Sequence, residues 1–148
     1  MYEIDVCYKI IFEAMLEKPV LKSIAEKINE YITNAILSDN NYIREHMADI
    51  VGEKKLYIAE DALILQFKRE NNIYTIASIV EALGKIHSIK SAEIINEYLE
   101  KNADILIQNK NFFVLKHIRN AFLKIDPQKS LVEFDNKYFE LLVKNITI

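Results

Sequence analysis

"NNYIREHMADIVGE" (Asn40–Glu53) opens on asparagines, carries one arginine among apolar positions and runs to one of only two glycines in the chain. "NNIYTIASIVEALGK" (Asn71–Lys85) has the same rhythm and holds the other glycine, Gly84. "NKNFFVLKHIRNAFLK" (Asn109–Lys124) repeats it with Leu123 where the glycine would fall. Aligned on Gly52, Gly84 and Leu123, the segments place Asn40, Asn72 and Asn111 twelve residues upstream, all residues suited to capping a helix N-terminus. Tyr42, Tyr74 and Phe113 stand ten residues upstream. Nine, five and two residues upstream come Ile43, Met47, Ile50, then Thr75, Ile79, Ala82, then Val114, Ile118, Ala121, a stripe on one helical side. The anchors lie 32 and 39 residues apart, and the surplus of seven is almost two helical turns. Such a period predicts stacked helical hairpins.

The rest of the chain agrees with an all-α fold in one domain. Its 148 residues suffice to bury about two thirds of the unfolded surface. Two glycines and two prolines leave little from which to build hairpin turns or phosphate-cradling loops. Apolar spacing predicts helices at about 2–17 (Ile4, Cys7, Tyr8, Ile11, Met15), from Pro19 onward (Ile24, Ile28, Ile32, Ala35), and at 41–52, 56–69 (Ile58, Ala62, Leu65, Phe67), 73–86, 89–107 and 112–125. Asp126 and Pro127 read as the cap and first turn of a last helix to about 145, with Leu131, Phe134, Tyr138, Leu141 and Leu142 inward. The first and last helices read as caps. Gly52 reads as a left-handed helix terminator. The total is about eight antiparallel helices on short connections.

Composition narrows function by exclusion. A net charge of −3 and a pI near 5.7 speak against nucleic acid as primary ligand. No apolar run approaches the roughly 18 residues of a membrane span, and acids stand in "MYEIDVCYK" where a secretory signal carries basic residues, so the expectation is cytoplasmic. Cys7 is alone and reads as a small apolar residue on a buried face; no Cys/His spacing suggests zinc, and no cofactor is expected.

The segment Ile43, Arg44, Ala48, Val51, Gly52 resembles the second helix of HEAT repeats, in which an apolar residue and arginine precede small residues and a closing glycine. Ala82-Leu83-Gly84 keeps the ending, with Ile76 in place of arginine, and "VLKHIRNAFL" loses both, with Leu115 at the arginine position and Leu123 at the glycine position. The resemblance spans about residues 20–125. It implies a right-handed alpha-solenoid whose second helices line a concave surface, and protein binding as the commonest use.

Positions ten, six and three before each anchor, and one after, cluster about 90° from the apolar stripe. They hold Tyr42, His46, Asp49, Glu53; Tyr74, Ser78, Glu81, Lys85; and Phe113, His117, Asn120, Lys124. Aromatic anchors among hydrogen-bonding groups are favoured at protein interfaces, so these twelve are the candidate binding residues; the aromatics could equally fold back as packing. Arg44 is expected to bond an acid or carbonyl of the adjacent repeat. His46 and Asp49, one turn apart, could begin an acid/base site with His117, but no nucleophile or further metal ligand accompanies them. His87 reads as a structural loop residue. Glu60 and Asp61 point about 100° apart, a poor arrangement for shared proton chemistry. The expected function is a non-enzymatic module for a protein partner, most specifically an immunity protein that neutralises a basic bacterial toxin domain. A general adaptor, a small hydrolase or lyase, and a small-molecule carrier using the groove beside Tyr42, Tyr74 and Phe113 are the alternatives.

Overall fold

The computed structural model describes Ile11 and residues 19–146; the expected helix at 2–17, with Cys7, lies outside the described residues apart from Ile11, which is helical and exposed. Among the described residues there are seven α-helices and no strand: α1 (Pro19–Ile36), α2 (Asn41–Lys54), α3 (Glu60–Arg69), α4 (Ile73–Lys85), α5 (Ser91–Gln108), α6 (Phe112–Ile125) and α7 (Ser130–Asn145), with a 3₁₀ turn at Tyr57–Ala59 before α3.

The three similar segments form α2, α4 and α6, and the packing of α2 on α4 and of α4 on α6 is the most extensive in the molecule. They lie parallel. At one end the Thr75 hydroxyl donates to the Asn41 carbonyl at 3.5 Å; at the other, Gly52 lies against Ala82 and Gly84 against Ala121. The intervening helices α1, α3, α5 and α7 pack on this layer as hairpin partners and meet one another mainly through side chains. Phe67 and Tyr98 rings stand 5.3 Å apart between α3 and α5, and Asn96 donates to Ser130 Oγ at 2.8 Å between α5 and α7.

The glycines do not end their helices. α2 continues to Lys54 and α4 to Lys85, and the left-handed residues are Lys55 (φ 49°), His87 (φ 53°) and, after α5, Lys110 (φ 58°). Gly52 and Gly84 serve close approach instead. A methyl built on Gly52 would lie 3.1 Å from the Ala82 Cα, and one on Gly84 would lie 3.0 Å from the Ala121 Cα. Each anchor glycine therefore rests on the residue two before the next anchor, and the layer's register repeats. Leu123 has no following layer helix among the described residues and is 53% exposed, so a large side chain is tolerated there. One and two turns earlier on that face, α4 has Val80 and Ala77, both buried, whereas α6 has Arg119 and Lys116. Arg119 turns to α7, bonding Asp135 at 2.8 and 3.1 Å and lying over the Phe139 ring at 5.1 Å.

The apolar stripe divides the same way. Thr75, Ile79, Ala82, Val114, Ile118 and Ala121 are buried because each faces the preceding layer helix. Ile43 and Ile50 on α2 are exposed, since no layer helix precedes α2 among the described residues. On α1, Ile32 is buried, but Ile24 and Ile28 are exposed; the inward face is set by Ala25, Ile32 and Ile36. The 3₁₀ turn shifts the phase of the next helix, so Ala59, Ala62, Leu63, Gln66 and Phe67 point inward while Ile58 and Leu65 do not. α7 starts at Ser130, not at Pro127. Asp126 Oδ2 accepts from the Ser130 N–H (3.0 Å) and hydroxyl (2.6 Å) across the intervening turn, and these bonds hold its carboxyl below the usual carboxylate range.

Candidate functional site

The first turns of α2 and α4 are set by their caps. Asn40 Oδ1 accepts the Tyr42 N–H at 2.9 Å, and Asn72 Oδ1 accepts those of Tyr74 (3.0 Å) and Thr75 (3.1 Å). Asn111 makes no such side-chain bond, although α6 still begins beside it. Because the helices are parallel and in register, Tyr42, Tyr74 and Phe113 lie at one end of the layer. Tyr42 is 68% exposed, Tyr74 is 59% exposed, and the Tyr74 and Phe113 rings stack with centroids 5.3 Å apart and planes 17° from parallel.

Further along the same face, His117 is half-buried. Its Nδ1 lies 2.7 Å from the Phe113 carbonyl and its Nε2 3.5 Å from Glu81, which also pairs with Lys85 at 3.0 Å. Glu81 thus joins α4 to α6 beneath the stacked rings. Between α2 and α4 a slot of about 220 Å³ opens above Gly52, bounded by Asp49, Glu53, Ser78, Glu81 and Lys85. It exists because glycine and alanine leave its floor low. Asp49 and Glu53 have no ion-pair partner among the described residues, and the side chains of His46, Asn120 and Lys124 are likewise without hydrogen-bond or ion-pair partners there. Of the twelve residues selected by periodicity, Tyr74 and Phe113 meet at one end, Glu81 links Lys85 and His117, and Asp49, Glu53 and Ser78 share the slot with Glu81 and Lys85, leaving free carboxylates on α2 and a free lysine on α6.

His46 and Asp49 do not bond one another, and His117 is engaged by Glu81 and the Phe113 carbonyl rather than by either of them. Among the described residues no three His, Cys, Asp or Glu side chains gather as a metal site would require. Glu60 and Asp61 both reach Lys90, at 3.6 and 2.5 Å, and Glu60 also accepts from Ser88 at 2.6 Å. His87 lies exposed, its Nδ1 3.4 Å from the Lys124 carbonyl.

Arg44 bonds both an acid and a carbonyl. Its guanidinium meets Glu70 at 2.7 Å through two nitrogens and the Ser38 carbonyl at 2.9 Å. Glu70, missed by pattern because it sits past the end of α3, also accepts from Gln66 (2.8 Å) and from the Asn71 and Asn72 N–H groups (3.1 Å each). Burial pushes the Glu70 carboxyl up, but the bonds from Arg44, Asn72 and Gln66 and the Arg44 charge outweigh it and hold the group below the usual carboxylate range. This cluster ties the Ser38–Asn40 approach to the start of α4, and so holds both asparagine caps and the tyrosines that follow them.

A larger groove, about 920 Å³, separates α5 from α7, lined by Glu93, Glu100, Asp104, Lys129, Lys137 and Tyr138 among others. Sequence periodicity gave no sign of it. Its apolar floor (Leu99, Ala103, Phe134) is already buried by neighbouring helices, so a ligand would find little apolar surface to cover. No helix among the described residues is long and apolar enough to cross a membrane. Comparison with family models, curated proteins and solved structures finds no match for the chain.

Proposed function

We propose that this chain is a non-enzymatic, HEAT-like helical-repeat module that holds one protein partner on the face of α2, α4 and α6. The observation that carries the reading is the pair of exposed tyrosines at matched heights on parallel helices, with Phe113 stacked on the second. Solvent-facing aromatics beside hydrogen-bonding groups supply the buried anchors on which protein interfaces depend. The small residues at the layer's contacts draw α2, α4 and α6 together while the intervening helices stand further apart. That difference would curve the array with the binding face concave, as in the right-handed solenoid that the HEAT-like reading implies. Free carboxylates at Asp49 and Glu53 favour a basic partner. Within this class the most specific version is a cytoplasmic immunity protein that covers a basic toxin domain, and the broader one is an adaptor.

The test is co-purification from the source cell with wild type and with the Tyr74→Ala, Phe113→Ala double variant. Because Tyr74 is exposed and Phe113 half-buried, the variant should keep its helicity and nearly its melting temperature while losing the partner. An unfolded variant would make the aromatics part of the core; retained capture would move the interface elsewhere.

A further inference from the structure

The slot above Gly52 and the tyrosines beside it constrain what the partner must look like. Tyr42 precedes Asp49 by seven residues, and Tyr74 precedes Glu81 by seven. Two turns of helix separate aromatic from carboxylate by about 10.5 Å on both walls of the α2/α4 groove. A partner helix laid along that groove repeats the same rise in seven of its own residues, and its positions i and i+7 fall within about 20° of one face. The slot cannot be filled from below, since a side chain on Gly52 would run into the Ala82 backbone. Of its charged groups, Lys85 runs over Gly52 and pairs with Glu81, while Asp49 and Glu53 make no ion pair among the described residues, so the lining sets three carboxylates against one ammonium.

Resting on the binding-face reading above, we propose that the partner presents an amphipathic helix whose lysine or arginine enters the slot between Asp49, Glu53 and Glu81, while an apolar residue seven positions away packs on Tyr42 and Tyr74. A long cationic side chain suits the site on two counts. Its methylene stem lies beside that of Lys85 over the alanine and glycine floor as its head meets the unpaired carboxylates. A guanidinium in transit also passes the exposed tyrosine rings.

The probes are three labelled, alanine-rich helical peptides: one with leucine and arginine at i and i+7, one with glutamate replacing that arginine, and one with leucine and arginine at i and i+5, on divergent faces. Fluorescence anisotropy should show the first binding about tenfold more tightly than either other. Asp49→Asn with Glu53→Gln should abolish that preference. Glu97→Gln with Glu140→Gln, which removes equal charge from exposed positions on α5 and α7, should leave it intact, all variants being checked for helicity. Equal affinity for the three peptides, or equal loss in both charge variants, overturns the proposal. If Tyr42→Ala with Tyr74→Ala abolishes binding of every peptide while Asp49→Asn with Glu53→Gln changes nothing, the binding face stands and the basic-helix partner falls. Indifference to both pairs of substitutions ends both.

Discussion

Gly84→Ala tests the packing argument because two accounts of that glycine predict opposite signs. An added methyl lies 3.0 Å from the Ala121 Cα and 3.3 Å from its Cβ. Ordinary carbon contacts are about 3.5–4.0 Å, so α4 and α6 must part by roughly half an ångström or more. The obstructing atom is backbone in mid-helix and cannot rotate away. Forcing extra methyl groups into a packed contact costs about 1–3 kcal/mol. Alanine recovers about 1 kcal/mol over glycine inside a helix. The balance is a net loss near 1 kcal/mol. In urea unfolding followed by helical circular dichroism, with a slope of about 1–3 kcal/mol/M, the midpoint should fall by about 0.3–1 M at unchanged slope. Gly84→Leu should lose several times more, although leucine is the natural residue at the matching position 123, where it is 53% exposed. A Gly84→Ala variant as stable as wild type, or more so, would refute the reasoning, since the glycine would then be a propensity defect with room beside it.

Arg44→Ala leaves Glu70, whose side chain is 1% exposed, as a buried charge without its cation, and should cost about 3–5 kcal/mol in chemical denaturation; replacing both residues with Met and Leu should be milder than the single change. Since the folded Glu70 pKa lies below its unfolded value of about 4.3, its contribution is present above that pH and is lost as pH falls through the folded pKa, so Glu70→Gln should flatten the acid limb of a stability–pH curve below about pH 5. Asp126→Ala removes the acceptor of both Ser130 bonds and should lower stability by about 0.5–2 kcal/mol with fraying at the start of α7, read by amide exchange. Lys110→Gly relieves a left-handed lysine (φ 58°) and should raise stability by up to about 1 kcal/mol in thermal unfolding; an unchanged or lower midpoint would show that the conformation costs nothing there.

The recurrence of three helical segments was legible in the sequence because helical periodicity and asparagine capping are local physics. Helix type, approximate bounds and the shared face of Tyr42, His46 and Asp49 with their counterparts follow from 100° per residue once the segments are parallel. What each face meets is not local. Ile43 and Val114 occupy the same repeat position, yet one is exposed and the other buried, because only α6 has a layer helix before it. Glycine's two uses, left-handed freedom and absence of a side chain, look identical in a sequence; the Ala82 and Ala121 backbones decided for the second, leaving Lys55 and His87 to take the left-handed turns. Glu70 lay outside every pattern because its partner Arg44 is 26 residues away and their meeting depends on how α2 and α3 pack. The sequence by itself determined an all-helical chain with a recurrent face. Tertiary contact decided which positions of that face are buried, bridged or left open, because burial belongs to pairs of surfaces and not to single helices.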